Sequence, residues 1–200
     1  MSDHMVWIVD DDEAVCDSLQ LLLKTIGLES RSFPDGKSFL EAADDSRPGC
    51  VVVDLRMPGM SGLELQEALH QKRSMLPVIF ITGHGTVDSA VHAMRAGAID
   101  FLQKPFDDQE LLDTIQRAIR VDRDSRDSLS AREQVAERYA TLTNRETEVM
   151  ALVVEGHANK VIASDLEVSE RTVEIHRSRV MKKMKANSLP HLVRMALDLK

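Results

Sequence analysis

Short apolar runs that alternate with amphipathic stretches over residues 1–120 are the feature that most constrains the fold of this chain. Four runs lie at residues 6–9, 50–53, 77–81 and 98–102, and a weaker one lies at 28–33. The stretches near 15–26, 35–44, 63–72, 86–96 and 107–120 carry apolar residues at helical spacing. Five strands that alternate with five helices are typical of a doubly wound parallel sheet covered on both faces. We therefore predict an α/β domain over residues 1–120.

The segment 121–142 has a different pattern, with four Arg and five Asp or Glu but no Gly or Pro. Its apolar residues Leu129, Val135 and Tyr139 are too widely spaced to form a core. Such a polar, helix-permissive segment is typical of a semi-rigid spacer. We predict a helical linker that continues from the helix ending near Arg120.

Residues 143–200 have helical spacing throughout. Thr143 and Glu146 are placed as a capping box, and Gly156 ends the first helix. Further helices are expected at about 158–166, from Ser169 to about 185, and at about 188–199. Four short helices with a tight turn between the second and third predict an all-α helix-turn-helix domain.

Composition excludes several classes of protein. The chain is 43% hydrophobic and 29% charged, which is not the composition of a disordered protein. We find no apolar run long enough to span a membrane and no signal peptide, so we expect no association with a membrane. The two cysteines, Cys16 and Cys50, form no C-x-x-C motif, which indicates a reducing, cytoplasmic location without a disulfide or zinc framework.

Charge is distributed unevenly along the chain. Residues 1–142 carry a formal charge of −10, residues 143–200 carry +2, and the stretch 168–195 carries +5. The late basic stretch is the only plausible surface for a nucleic acid. Charge alone is equally compatible with a chance fluctuation.

Polar side chains follow the strands of the predicted sheet. Asp10 and Asp11 come after the first strand, Asp54 closes the third, Thr82 follows the fourth and Lys104 lies past the fifth. The carboxyl ends of parallel strands share one edge of a sheet, so these groups converge. Clustered carboxylates suit Mg²⁺, and a lysine with a hydroxyl opposite suits an incoming phosphoryl group. Taken singly, each group is equally compatible with a solvated turn or a surface charge.

Four segments at these strand ends form one pattern. They are Val9-Asp10-Asp11, Asp54-Leu55-Arg56-Met57-Pro58-Gly59-Met60-Ser61-Gly62, Ile81-Thr82-Gly83 and Lys104-Pro105-Phe106. In this order and spacing they resemble the receiver domain of bacterial two-component response regulators, over about residues 5–120. The resemblance implies a flavodoxin-like fold, with Asp54 as the acceptor of a phosphoryl group from a sensor histidine kinase.

The same resemblance implies roles for the neighbours of Asp54. Thr82 would bind the phosphoryl oxygen, Lys104 would pair with it, and Phe101 would swing inward as Thr82 moves. The Lys104–Pro105 bond is expected to be cis. The Mg²⁺ ligands would be Asp11 directly, Asp10 mainly through water, Asp54, and the backbone carbonyl of Arg56.

The third helix of the late domain has two distinct faces. On a helical wheel Val173, Val180 and Met184 form a buried stripe. The opposite side carries Arg171, Glu174, Ile175, Ser178 and Lys182. Such a helix is suited to the major groove of DNA, although an ordinary amphipathic surface helix has the same pattern.

Further segments carry a second resemblance. They are Leu142-Thr143-Asn144-Arg145-Glu146, Gly156-His157-Ala158-Asn159-Lys160, Arg171-Thr172-Val173-Glu174-Ile175-His176-Arg177 and Ser188-Leu189-Pro190-His191-Leu192-Val193-Arg194. They resemble the LuxR-type helix-turn-helix of the NarL/FixJ class of regulators. The resemblance implies that Glu174, Ile175 and Ser178 face base edges. The other expected DNA contacts, mostly to phosphates, are Asn159, Lys160, Arg171, Thr172, Arg177, Arg179, Lys182 and Lys183.

The last helix leaves two alternatives open, since Leu189, Leu192 and Val193 could form a dimer seam or belong to the core. As a whole, the chain is identified as a response regulator rather than an enzyme. It is expected to bind promoter DNA as a homodimer after phosphorylation and to activate transcription, with RNA polymerase as a further partner. One rival is a Mg²⁺-dependent aspartyl-phosphate phosphatase, which usually has a second Asp where Arg56 stands. The other is a receiver that signals without phosphorylation.

Overall fold

The computed structural model describes residues 4–44, 46–83 and 85–199. The first three residues of the segment searched for a signal peptide lie outside this part. The chain divides into two compact units, residues 1–126 and 127–200. Among the described residues, no helix is both long and apolar enough to cross a membrane.

The first unit is a five-stranded, wholly parallel sheet in the order β2-β1-β3-β4-β5. This confirms the predicted α/β fold. The last strand begins two residues later than expected, because Ala98 N still donates to the carbonyl of Ala93 in the preceding helix. The elements in chain order are β1 (Met5–Val9), α1 (Glu13–Thr25), β2 (Glu29–Phe33), α2 (Gly36–Ala42), β3 (Gly49–Asp54), α3 (Gly62–Gln71), β4 (Val78–Thr82), α4 (Val87–Arg95), β5 (Asp100–Gln103) and α5 (Asp108–Ala140).

Each face of the sheet has its own hydrophobic core. Alternate residues of a strand point to opposite faces, so Trp7 and Ile8 enter different cores. Phe39 of α2 packs on the Trp7 face, whereas Leu23 of α1 and Ile115 of α5 pack on the Ile8 face. Burial on both faces is the reason that the three inner strands β1, β3 and β4 are largely apolar runs, whereas the edge strands β2 and β5 carry polar residues.

The second unit contains four further helices around one core, which confirms the predicted all-α domain. They are α6 (Asn144–Val154), α7 (Asn159–Asp165), α8 (Glu170–Met184) and α9 (Leu189–Asp198). Thr143 and Glu146 form the capping box expected at the start of α6, and Ser169 caps α8. Short capped helices of this kind depend on a shared core for their stability.

Helix α5 runs without a break from Asp108 to Ala140. Val135, one of the widely spaced apolar residues of the predicted linker, is 7% exposed and packs in the core that the later helices form. Leu129 and Tyr139 are exposed, as expected. Val135 is buried because neighbouring helices supply the apolar contacts that its own segment lacks.

Candidate functional site

The carboxyl edge of the sheet brings together the polar groups that follow β1, β3, β4 and β5. Lys104 Nζ lies 2.7 Å from Asp10 Oδ2 and 3.1 Å from Asp54 Oδ1, so one ammonium bridges two carboxylates. Asp10, Asp54 and Thr82 are 2%, 7% and 1% exposed. The Lys104–Pro105 bond is cis, as expected. The convergence follows from the parallel topology, since Asp10 and Lys104 are 94 positions apart in the chain.

Backbone amides fix the orientation of both carboxylates. Asp12 N donates to Asp10 Oδ1 over 2.9 Å, and Arg56 N donates to Asp54 Oδ2 over 2.6 Å. The side chain of the exposed Asp12 accepts from Ala14 N and caps α1. Each buried carboxylate therefore has one oxygen on a backbone amide and the other on Lys104.

Burial and pairing shift the ionisation of this cluster. Burial raises the pKa of Asp10 above its ordinary value, and the hydrogen bonds from Lys104 and Asp12 N oppose the rise. Burial alone would lower the pKa of Lys104, but its hydrogen bonds to Asp10 and Asp54 outweigh that effect and the pKa is raised. Lys104 is therefore charged at neutral pH and supplies a fixed positive charge beside Asp54.

The aromatic side chain of Phe101 lies close to Thr82 and is only partly buried. The two are separated by Gly85, where a Cβ atom would lie 2.7 Å from Phe101 Cε1 and 2.8 Å from Thr82 Cγ2. The loop after β4 therefore passes through a gap that no side chain could share. The inner neighbour of Phe101 is Phe80, at a ring-centroid distance of 6.1 Å.

The oxygen donors expected for Mg²⁺ lie around the same edge. Asp10 and Asp54 are buried carboxylates, whereas Asp11 and Arg56 are exposed. Within residues 4–44, 46–83 and 85–199, no three acidic, histidine or cysteine side chains are grouped closely enough to hold a metal ion. The donor set is nevertheless all oxygen, which is the chemistry that Mg²⁺ prefers.

Helix α8 has the two faces that the helical wheel predicts. Val173, Val180 and Met184 are at most 1% exposed and lie in the core. The opposite face is exposed and carries Arg171, Glu174, Ile175, Ser178 and Lys182, with Arg179 and Lys160 also exposed. The exposed side chains of this face are therefore available to a partner outside the domain.

Four of the expected DNA contacts have partners within the domain. Arg177 Nη1 donates to Asn159 Oδ1 over 2.9 Å and so joins α8 to the start of α7. Thr172 accepts or donates a hydroxyl hydrogen bond with Ser169 over 2.8 Å at the cap of α8. Lys183 is half-buried, because its ammonium lies inward, towards the start of α6.

Lys183 Nζ donates to Glu146 Oε2 over 2.6 Å and to the Thr141 carbonyl over 2.9 Å. Glu146 is 2% exposed and also accepts from Thr143 N. The hydrogen bond from Lys183 and the one from Thr143 N lower the pKa of Glu146 to about 2. The pair therefore holds α8 against the segment that precedes α6.

Helices α4 and α9 both carry exposed apolar side chains. On α4, Val87, Val91 and Met94 are 81%, 42% and 45% exposed at positions i, i+4 and i+7, so they lie on one face of the helix. On α9, Leu192 is fully buried in the core whereas Leu189 is 37% exposed. Of the residues that could form a dimer seam or belong to the core, Leu192 thus lies in the core and Leu189 lies at the surface.

Comparison with known proteins agrees with the two units. Residues 6–116 match the family described as the response regulator receiver domain, and residues 140–196 match the LuxR family of bacterial regulatory proteins. These matches define a receiver domain followed by a helix-turn-helix domain.

Full-length relatives and structures narrow the class. The transcriptional regulatory protein FixJ of Rhizobium meliloti (strain 1021) is 48% identical and covers 98% of this chain and 97% of its own length. The response regulator protein TodT of Pseudomonas putida F1 is 41% identical, with coverages of 100% and 89%. The response regulator StyR matches with a TM-score of 0.88 at 40% identity over 98% of this chain and 99% of its own, and full-length FixJ from B. japonicum with 0.61 at 40% identity over 100% and 98%.

The chain therefore belongs to the FixJ-like response regulators of two-component systems, which join a receiver domain to a LuxR-type helix-turn-helix. It is a phosphorylatable, DNA-binding transcription regulator. A receiver domain implies a sensor kinase as partner, and the helix-turn-helix implies DNA.

Proposed function

We propose that Asp54 accepts the phosphoryl group from a sensor histidine kinase and that this modification switches the protein. The observation that carries the proposal is the Lys104 ammonium, which lies between Asp10 and Asp54 at 2.7 and 3.1 Å. An oxygen of Asp54 bonds to phosphorus while the bond from phosphorus to the donor nitrogen breaks, and the donor histidine takes up a proton. Lys104 balances the added negative charge in a site that excludes most water.

Thr82 and Phe101 connect this chemistry to the surface. Thr82 is 1% exposed at the end of β4, and its hydroxyl is suited to bind an oxygen of the phosphoryl group. A shift of Thr82 opens space beside Gly85, and Phe101 then moves inward from its half-buried position. The result is a change on the surface that contains β5 and α4.

Mg²⁺ fits this site, with Asp11 and Asp54 as ligands, Asp10 mainly through water, and the Arg56 carbonyl as the remaining protein ligand. When bound, it neutralises charge on the phosphoryl oxygens. Asp10 and Asp54, held by backbone amides, present preoriented oxygens to it. Lys104 lies opposite these ligands and bridges Asp10 and Asp54.

Phosphorylation is proposed to pair two receivers through the exposed face of α4. Val87, Val91 and Met94 form a continuous apolar strip on this helix, next to the strand that carries Phe101. Exposed apolar strips of this kind are typical of protein interfaces. Pairing places two DNA-binding domains on one promoter, as a homodimer requires.

The DNA surface is proposed to be the exposed face of α8 in the major groove. Glu174, Ile175 and Ser178 would meet base edges, and a carboxylate there is able to accept from cytosine N4. The phosphate contacts would come from exposed basic residues, namely Lys160, Arg171, Arg179 and Lys182. Further contacts would come from Asn159 and Thr172 near the starts of α7 and α8, from Arg177 in the middle of α8, and from Lys183 behind them. The outcome would be activation of transcription in the cytoplasm by contact with RNA polymerase, without an enzymatic turnover of its own.

The proposal is tested by labelling the full chain with a small phosphodonor in the presence of Mg²⁺. We expect Asp54→Asn to abolish labelling, because the acceptor oxygen is lost, and Asp17→Asn, an exposed acid on α1, to label normally. Labelling of Asp54→Asn at the wild-type level would assign the modification to Asp10 or Asp11 instead. No labelling of the wild type would favour a receiver that signals without phosphorylation.

A further inference from the structure

A buried ion pair ties the early part of the linker to the receiver. The Asp122 side chain is fully buried, and both of its oxygens accept from Arg126 Nε at 2.9 Å. The side chain of Arg126 is 21% exposed. We call this pair the Asp122–Arg126 clasp. Fully buried carboxylates are rare unless they are paired and hydrogen-bonded, as this one is.

The clasp forms hydrogen bonds with the segment of the receiver that leads into β3. Asp122 Oδ2 accepts from Gly49 N over 2.8 Å, and Arg126 donates to the carbonyl of Ser46 over 3.1 Å. A second nitrogen of Arg126 donates to the carbonyl of Arg47 over 3.4 Å. One pair of side chains therefore satisfies three backbone groups that lie 73 to 80 positions earlier in the chain.

The segment that the clasp binds lies at the end of the sheet where its strands begin. Gly49 pairs in register with Met5, and a Cβ atom on Gly49 would lie 1.8 Å from the Met5 carbonyl oxygen, so only glycine fits. Strand β3 starts at Gly49 and ends at Asp54. The clasp and the phosphoryl acceptor are thus at opposite ends of one strand.

The contacts that form the clasp end at Arg126. Residues 127–134 are all exposed, and Val135 is the next buried residue of α5, in the core of the second unit. The contacts of α5 with residues 46–49 therefore extend as far as Arg126.

We propose that Asp122 and Arg126 are positioning residues, which make residues 121–126 part of the receiver and transmit its state to the linker from residue 127 onward. The proposal rests on the proposed function, since transmission presupposes a receiver switched at Asp54. Without the clasp, movement in the receiver is absorbed at residues 121–126 rather than passed along α5.

The test compares Asp122→Asn with Asp124→Asn in the full chain. The Asp122→Asn side chain keeps an acceptor for Gly49 N and a similar shape but loses the charge that holds Arg126, whereas Asp124 is exposed. Hydrogen exchange reports the anchor directly. We expect exchange at residues 121–126 and at Gly49 to accelerate about tenfold in Asp122→Asn and to stay unchanged in Asp124→Asn.

The second readout is the gain in DNA affinity that beryllofluoride produces. We expect Asp122→Asn to reduce that gain by about twofold or more, while labelling of Asp54 by a phosphodonor keeps its wild-type rate. Arg126→Lys, which retains a charge for Asp122, should recover part of the gain that Arg126→Ala loses. A purely structural role would move neither the gain nor its recovery.

The outcomes separate the two proposals. If beryllofluoride raises the DNA affinity of the wild type and of Asp122→Asn by the same factor, the inference about the Asp122–Arg126 clasp is wrong, and the proposed switch at Asp54 stands. Unchanged exchange at residues 121–126 in Asp122→Asn overturns the clasp inference as well. A wild type that is labelled but gains no affinity overturns the proposed switch, and the transmission with it.

Discussion

The receiver site and the exposed face of α8 use charge in opposite ways. At the receiver site, Asp10, Asp54 and Lys104 are partners of one another, and backbone amides hold the carboxylates. On α8, Glu174 and Lys182 are exposed and available to a ligand. Buried charges are preorganised for one small group, whereas exposed charges become ordered only on an extended partner. Substitutions should therefore act on stability and chemistry at the first site and on binding at the second.

The largest loss of stability is expected inside the DNA-binding domain, at the Glu146–Lys183 pair. This pair resembles the receiver site, because its charges are partners of one another rather than available to a ligand. Glu146→Gln should destabilise the domain by about 2–3 kcal/mol at pH 7, since it leaves the Lys183 ammonium without its anion. Glu148→Gln, which breaks an exposed pair with Arg145, should cost less than about 1 kcal/mol. Urea unfolding of the full chain, monitored through a signal from the second unit, measures the loss of stability in both variants.

The same pair predicts a pH dependence. The pKa of Glu146 is lowered from 4.5 to about 2, so its contribution to stability is fully present above about pH 4.5. This contribution is lost as the pH falls towards 2, because the carboxylate then becomes protonated in the folded as well as in the unfolded protein. The stability difference between wild type and Glu146→Gln should shrink over that range, and a difference that is constant from about pH 6 to about pH 2.5 would contradict the assignment.

An intermediate effect is expected at the DNA surface. Glu174→Ala should cost about 1–3 kcal/mol on the preferred site and relax the choice of one base. Lys182→Ala should weaken binding to all sequences alike and reduce the salt slope by about one unit. Titrations at several salt concentrations on matched and single-substituted sites distinguish the two. If Glu174→Ala leaves the ranking of sites unchanged, the placement of α8 in the groove is wrong.

The smallest effect is expected at the α4 strip. Val91→Ala removes part of the apolar surface and should weaken beryllofluoride-induced dimerisation by about 1 kcal/mol, and Phe101→Ala should weaken it as well. Leu129→Ala, on an exposed apolar residue of α5, serves as the control. Sedimentation at several concentrations measures the shift from monomer to dimer, and a monomer that persists in the beryllofluoride-treated wild type would remove this step from the account.

The sequence predicts the parts of the molecule that topology determines. Wholly apolar strands imply a parallel sheet, and the parallel sheet in turn places Asp54 beside Lys104. The wheel of α8 predicts the burial of Val173 and Val180 for a similar reason, since helical period alone sets the face.

The remaining positions depend on contacts between distant segments. Asp122 lies among charged residues and has the sequence environment of a solvated residue, yet it is buried because Gly49 and Arg126 complete its hydrogen bonds. Lys183 has the composition of a phosphate contact, yet Glu146 draws it inward. Local pattern carries no information about such partners, so the sequence predicts neither of these two contacts.

The central claim is that modification of Asp54 changes how the helix-turn-helix binds DNA. It is tested most directly by titrating one promoter fragment with the full chain, with and without beryllofluoride and Mg²⁺, for the wild type and Asp54→Asn. The account predicts that beryllofluoride raises the affinity of the wild type severalfold, by about 1 kcal/mol or more, and leaves Asp54→Asn unchanged. Equal affinities of the wild type under both conditions, or an equal rise in Asp54→Asn, would contradict it.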